Sequence, residues 1–103
     1  MAQQTYAGIS LEVNDEGYLL NASAWTKEIA AAIAAEEDIV LTDKHFAVLE
    51  FIRERTAKGD ALSLRSIGKS GIVDAKQFYE LFPGAPLKKA SRIAGIPKPS
   101  SCV

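Results

Sequence analysis

Cys102 is the one thiol in the chain, and it stands in a run with no acidic residue, Gly95-Ile96-Pro97-Lys98-Pro99-Ser100-Ser101-Cys102-Val103. A single thiol cannot staple a fold through an internal disulfide. With one cysteine and one histidine there is also no cluster for zinc or iron–sulfur ligation, so neither a metal nor a cofactor is expected. What one accessible thiol can do is exchange chemistry. Its thiolate attacks a sulfur–sulfur bond, holds the sulfane sulfur as a persulfide, and surrenders it to another thiol. Such a carrier needs exposure, reach and a usable thiolate fraction. Pro97 and Pro99 lack backbone donors and favour extended geometry, so the run past Gly95 predicts a stiff arm rather than a helix or strand. Its seven steps from Gly95 to Cys102 reach about 23–25 Å when fully extended. An incidental exposed cysteine is the competing reading.

Charge is distributed to suit the first reading. Residues 1–60 carry eleven acids against five Lys and Arg, whereas residues 61–103 carry seven Lys and Arg against two acids. After Glu80 there is no acidic side chain, while Lys88, Lys89, Arg92 and Lys98 follow. A basic collar of this kind favours thiolate and attracts acidic partners. An ordinary solvated helix face would look the same in sequence.

The other candidates are weaker. His45 falls on the inner face of a predicted helix, where a packed or hydrogen-bonded role is expected. Gly68-Lys69-Ser70 ends like a phosphate loop but lacks the upstream glycine and the preceding strand. No Gly-x-Ser-x-Gly elbow or dinucleotide fingerprint occurs. Two short helices near Ser63–Lys69 and Asp74–Phe82 could pass for a helix-turn-helix, yet the second offers only Lys76 against Asp74 and Glu80. Direct nucleic-acid binding is therefore not expected.

The elements that must position the thiol follow from periodicity. A chain of 103 residues, 48% apolar and 24% charged, fits one soluble core. Ile9, Leu11 and Val13 alternate, Asn14-Asp15-Glu16-Gly17 is turn chemistry, and Tyr18-Leu19-Leu20 resumes, which predicts an N-terminal β-hairpin. Trp25, Ile29, Ala32 and Ile33 then take helical spacing behind a Ser23 N-cap. A second helix is expected from Thr42, with Leu41 and Phe46 as a hydrophobic staple and Lys58-Gly59-Asp60 as its stop. Asp74 with Gln77 reads as a capping box, with Val73 stapled to Phe78. This helix is expected to bury Phe78, Leu81 and Phe82. Pro86 in the first turn and Gly95 after the last bound a final helix. The fold class is thus mainly α with a minor β part: a small helical bundle with an N-terminal hairpin and a flexible C-terminal arm. Residues 1–95 form one helical domain and residues 96–103 the arm. The opening Met1-Ala-Gln-Gln-Thr-Tyr has no signal-peptide pattern and no run reaches membrane-spanning length, so a cytoplasmic protein with no membrane partner is expected.

Several runs also carry a family resemblance. Leu81-Phe82-Pro83-Gly84-Ala85-Pro86, the stretch Lys88-Lys89-Ala90-Ser91-Arg92-Ile93-Ala94-Gly95-Ile96-Pro97-Lys98-Pro99, and Cys102-Val103 closely resemble the C-terminus of the DsrC/TusE family. Asp15-Glu16-Gly17-Tyr18-Leu19, Trp25 and Leu41-Thr42-Asp43-Lys44-His45 extend the likeness over nearly the whole chain. The resemblance implies a sulfur-relay protein, a sulfurtransferase in the sense of a persulfide carrier, with Cys102 at the carrier position. It implies a sulfur donor of DsrE/TusD type and an acceptor that is either a tRNA-thiolating enzyme or a dissimilatory sulfite reductase. The alternative is a non-catalytic regulator or sulfite-reductase partner of the same family, with DNA among its ligands. Lys88, Lys89, Arg92 and Lys98 are candidates for partner docking. Three departures stand out. Ser91 replaces the second cysteine of the two-thiol members, Leu62 stands where a proline is usual, and Arg65 to Leu81 is several residues shorter than in known members.

Overall fold

The computed structural model describes residues 2–60 and 64–96; Leu62, Lys98, Cys102 and the expected arm beyond Ile96 lie outside the described residues. The N-terminal strands pair one element earlier than their alternation suggests. β1 (Ala2–Tyr6) runs antiparallel to β2 (Ile9–Val13), with Tyr6 opposite Ile9 and Ala2 opposite Val13. The connecting Ala7 and Gly8 both have positive φ, 53° and 78°, as the primed two-residue turns of twisted hairpins require. β1 escaped the pattern because Ala2-Gln3-Gln4-Thr5 is exposed on both faces and only Tyr6 is buried. The Asn14–Gly17 turn is real but closes a much smaller loop. Asn14 Oδ1 accepts from the amides of Glu16 and Tyr18 at 2.9 and 3.0 Å, and a single bridge joins Val13 to Leu19.

Among the described residues five α-helices follow: α1 (Lys27–Glu36), α2 (Asp43–Ala57), α3 (Leu64–Gly68), α4 (Ala75–Leu81) and α5 (Pro86–Ile93). The first is capped later than expected. Thr26 Oγ1 accepts from the Ile29 amide, whereas Ser23 lies in a one-turn 3-10 helix (Ala22–Ala24) and bonds Asn21. Trp25 consequently precedes α1 instead of riding on it. Thr42 and Asp74 cap α2 and α4 as expected, and Gln77 completes the box by accepting from the Asp74 amide.

In α2 the box partner is His45. Its Nδ1 accepts from the Thr42 amide at 3.1 Å, so the proton resides on Nε2, which donates to the Leu81 carbonyl at 2.9 Å. The ring also stands edge-on to Phe82, with centroids 5.2 Å apart. His45 is thus a buried tie between α2 and the end of α4.

The apolar faces converge on α5, which packs against α1, α2 and α4. Ile29, Ala30 and Ile33 of α1, Val48, Leu49 and Ile52 of α2, and Phe78 and Phe82 surround Leu87, Ala90 and Ile93, all essentially buried. Leu81 is only partly buried beside them. An isolated helix of eight residues is unstable in water. Burial of Leu87 and Ile93, worth about 1.5–3 kcal/mol each, is what holds α5.

At the end of α1 the chain reverses through Asp38, whose amide donates to Ala35 while that of Ile39 donates to Ala34. Asp38 has φ 58°, in the left-handed region that glycine usually fills at this position. Its carboxylate also sits at the negative end of the helix dipole. Asp38→Gly is expected to stabilise the protein by about 1 kcal/mol, read as a raised midpoint in urea denaturation with an unchanged slope.

Candidate functional site

The residues expected to serve the thiol cluster around α5, and its C-terminal end is unusually well anchored. A helix leaves its last four carbonyls without partners inside the helix. Here each has one. Ile96 N–H donates to Ser91 O at 3.2 Å and Gly95 N–H to Arg92 O at 3.1 Å, the double reversal of a glycine-terminated helix. Trp25 Nε1 donates to Ile93 O at 2.7 Å, and Arg53 Nη1 donates to Ala94 O at 2.7 Å. The two side chains also stack, with the Arg53 guanidinium carbon 4.4 Å from the centre of the Trp25 ring. Burial pulls the Arg53 pKa below its ordinary value, but a guanidinium remains charged. Gly95 has φ 72°, and a Cβ there would lie 2.5 Å from Trp25 Cδ1 and 3.1 Å from Leu19 Cδ1. Glycine is therefore required twice, by backbone conformation and by the indole laid across it.

Arg92 anchors the last turn of the same helix through its side chain. Its Nε donates to Gly17 O at 3.2 Å, Nη1 to Glu37 at 3.3 Å, and Nη2 to the Tyr6 hydroxyl at 3.1 Å and to Glu36. One side chain thereby joins the Asn14–Gly17 turn, β1, the end of α1 and α5. Burial opposes its charge, but the hydrogen bond to Glu36 and the charges of Tyr6, Glu36 and Glu37 prevail, so its pKa is raised. Arg92 is only 16% exposed, so its charge is largely engaged inside the protein.

Lys88 is exposed and Lys89 partly so. With Arg92, Ala85, Glu16, Tyr18 and Glu37 they line an open groove of about 380 Å³. Tyr18 fixes the groove floor by donating its hydroxyl to Lys88 O at 3.3 Å. Lys89 lies over Gly84, where a Cβ would come within 3.3 Å of its Nζ. Ser91 is fully buried, and among the described residues its hydroxyl has no hydrogen-bond partner. The structure thus brings Lys88, Lys89, Ser91 and Arg92 together on one helix, whereas Cys102 and Lys98 lie outside the described residues. Sequence reasoning missed Arg53 altogether and placed Trp25 only on the stripe of the first helix. No local spacing links positions 25, 53 and 93–95, so only their contact in space reveals the clamp.

Comparison with known proteins places this arrangement. The family model described as DsrC like protein matches residues 5–103. The chain is 34% identical over 111 residues to the sulfurtransferase TusE of Photorhabdus laumondii, covering the whole of both chains. It is 36% identical over 105 residues, again covering both completely, to the dissimilatory-type sulfite reductase subunit gamma of Nitratidesulfovibrio vulgaris. The solution structure of Allochromatium vinosum DsrC superposes with a TM-score of 0.82 at 33% identity, over 98% of this chain and 97% of that one.

Two outcomes follow from the anchors. Gly95→Ala should cost at least about 2 kcal/mol, from left-handed backbone strain and displacement of the indole. The readouts are a lower Tm and a red-shifted Trp25 emission. The second outcome concerns Tyr6. Burial raises its pKa; the Arg92 charge opposes this, and the charge and hydrogen bond of Glu36 add to it. A group raised above its unfolded value of about 10 stabilises fully below that pH and ceases to do so as pH climbs through the folded value. Unfolding free energy should therefore show no Tyr6-dependent slope between about pH 7 and 9 and a decline above about pH 10. Tyr6→Phe should remove that part of the decline while costing about 1 kcal/mol at neutral pH, as measured by urea midpoints across the range.

Proposed function

The chain belongs to the DsrC-like protein family, and from that membership we propose that it relays sulfur, with Cys102 holding the cargo as a persulfide. The observation that carries this reading is the extent of the family match, which runs through residue 103 and so takes in the only cysteine. The relatives named sulfurtransferase TusE support the relay role. In the loading step the Cys102 thiolate attacks the outer sulfur of a donor persulfide. The new Sγ–S bond forms as the donor's S–S bond breaks, the donor leaves as thiolate, and the proton stays with the transferred sulfur. No oxidant or reductant is consumed. Unloading is the same exchange with an acceptor thiolate as the attacking group.

Ser91 shapes what can follow. A hydroxyl cannot form a disulfide, so the sulfur leaves Cys102 for a thiol on another molecule, not for a second thiol at position 91. The donor in this reading is a DsrE/TusD-type protein, and the acceptor is a tRNA-thiolating enzyme, all in the cytoplasm. Lys88, Lys89 and Lys98 draw in acidic partner surfaces. Arg92, engaged with Glu36 and Glu37, serves as scaffold. Among the described residues no helix is long and apolar enough to cross a membrane. The relative named as a sulfite reductase subunit favours a second reading, in which the acceptor is a sulfite reductase.

The test is intact-mass measurement after incubation with a persulfide-loaded donor, beside Cys102→Ser. Wild type should gain one sulfur, lose it to dithiothreitol, and pass it to an acceptor thiol, while the variant gains none. A wild type that stays unmodified, although iodoacetamide labels Cys102 freely, would refute the carrier role and leave a regulator that survives Cys102→Ser. Co-purification with a siroheme protein would select the reductase reading.

A further inference from the structure

We infer that Trp25 and Arg53 are the positioning residues of the sulfur-carrying segment, fixing where and in what direction the chain leaves the body at Ile96. This rests on the carrier reading of Cys102. At the end of a surface helix the last carbonyls are ordinarily left to water. Here they are taken by two side chains that lie 68 and 41 residues away in sequence. The two groups brace each other through the 4.4 Å stack, and the indole covers Gly95 so closely that no side chain fits there. Ile96 is 3% exposed and tied back to Ser91, so the chain has a defined heading at its last described residue.

That heading matters to a tethered thiol. Six steps lead from Ile96 to Cys102, a span of at most about 20–22 Å. A tether of fixed root and fixed heading confines its end to a fraction of the sphere that a swivelling root would allow. Confinement raises the local concentration of the thiol at a partner docked on the same side. With the clamp open, Gly95 becomes the swivel, because glycine crosses between left-handed and extended backbone without steric cost. Arg53 suits the task where lysine would not. Its planar fork donates to Ala94 O while its face lies on the indole, which a point-charge ammonium cannot reproduce. The clamp holds the root of that segment, so opening it should alter encounter with a protein donor and leave the intrinsic reactivity of the thiol alone.

The single tryptophan and single cysteine provide the measurement. A dansyl label on Cys102 accepts energy from Trp25, and time-resolved transfer gives the spread of their separations. Arg53→Met, which removes the donors, should at least double the width found in wild type, and Arg53→Lys should fall between them. An unchanged width in Arg53→Met, with native far-UV circular dichroism, overturns the inference. If Arg53→Met does not fold, Trp25→Phe keeps an aromatic face without the donor, and a nitroxide on Cys102 should show faster motion than in wild type. Unchanged motion overturns the inference equally.

Loading rates provide the functional arm. With glutathione persulfide, Arg53→Met should load within twofold of wild type. With a persulfidated DsrE/TusD-type donor below saturation it should load about tenfold more slowly, recovering as donor is raised. Equal slowing with both donors would make Arg53 an activator of the thiol, contrary to the inference. Should wild type accept sulfur from neither donor, the carrier reading fails, while the distance measurement still decides whether the clamp sets the heading.

Discussion

Four satisfied carbonyls at the end of α5 are the constraint on which the rest of this structure depends. An eight-residue helix has little stability of its own, and its C-terminal end would fray first. Glycine-dependent reversal closes two of the four acceptors from within the chain, and Trp25 and Arg53 close the other two from outside. Those two side chains come from the segment before α1 and from the middle of α2. Fixing the end of α5 therefore fixes the relation between the first and last thirds of the chain. The packing of Leu87, Ala90 and Ile93 beneath the helix would locate it to within a rotation; the polar clamp removes that remaining freedom.

Arg92 performs a matching task from the same turn. Its four partners belong to the Asn14–Gly17 turn, β1 and the C-terminal end of α1, so one guanidinium ties the hairpin to the helices beside the buried Tyr6, Leu11 and Val13. Removing it would leave Glu36 and Glu37 without their cation and Gly17 O without its donor. Two arginines of the same formal charge thus do different work on α5. One joins the hairpin to the helix, and the other seals the helix end. Neither task is served by a lysine, because Arg92 uses three nitrogens of the guanidinium and Arg53 combines one donor with its flat face.

Helix boundaries were legible where chemistry is local. Thr42, Asp74 with Gln77, Pro86 and Gly95 each act within four residues of themselves, and each marks the end it was expected to mark. An N-terminal hairpin is present as expected, but its strands lie one element earlier, because Asn14-Asp15-Glu16-Gly17 is a strong turn signal whereas Ala2-Gln3-Gln4-Thr5 has no buried face to create alternation. Ser23 reads as the first cap, where the structure has Thr26, for a related reason. Assigning Trp25 to the helical stripe pushed the start three residues early, when its indole is directed to the far end of α5. At the site, Lys88, Lys89 and Arg92 were legible as a basic cluster, but not that Arg92 is turned inward. Such information is long-range by nature. The partners of Arg92 lie up to 86 residues away, beyond any periodicity.

Ser91 also sets a condition on its own replacement. Its hydroxyl is buried without a hydrogen-bond partner among the described residues, and an unpaired buried hydroxyl costs about 1–3 kcal/mol relative to a satisfied or apolar side chain. A thiol is a weaker donor and behaves as a small hydrophobe, so desolvation asks less of a cysteine than of a serine at this position. The polarity of the present side chain is therefore not what the packing around α5 requires.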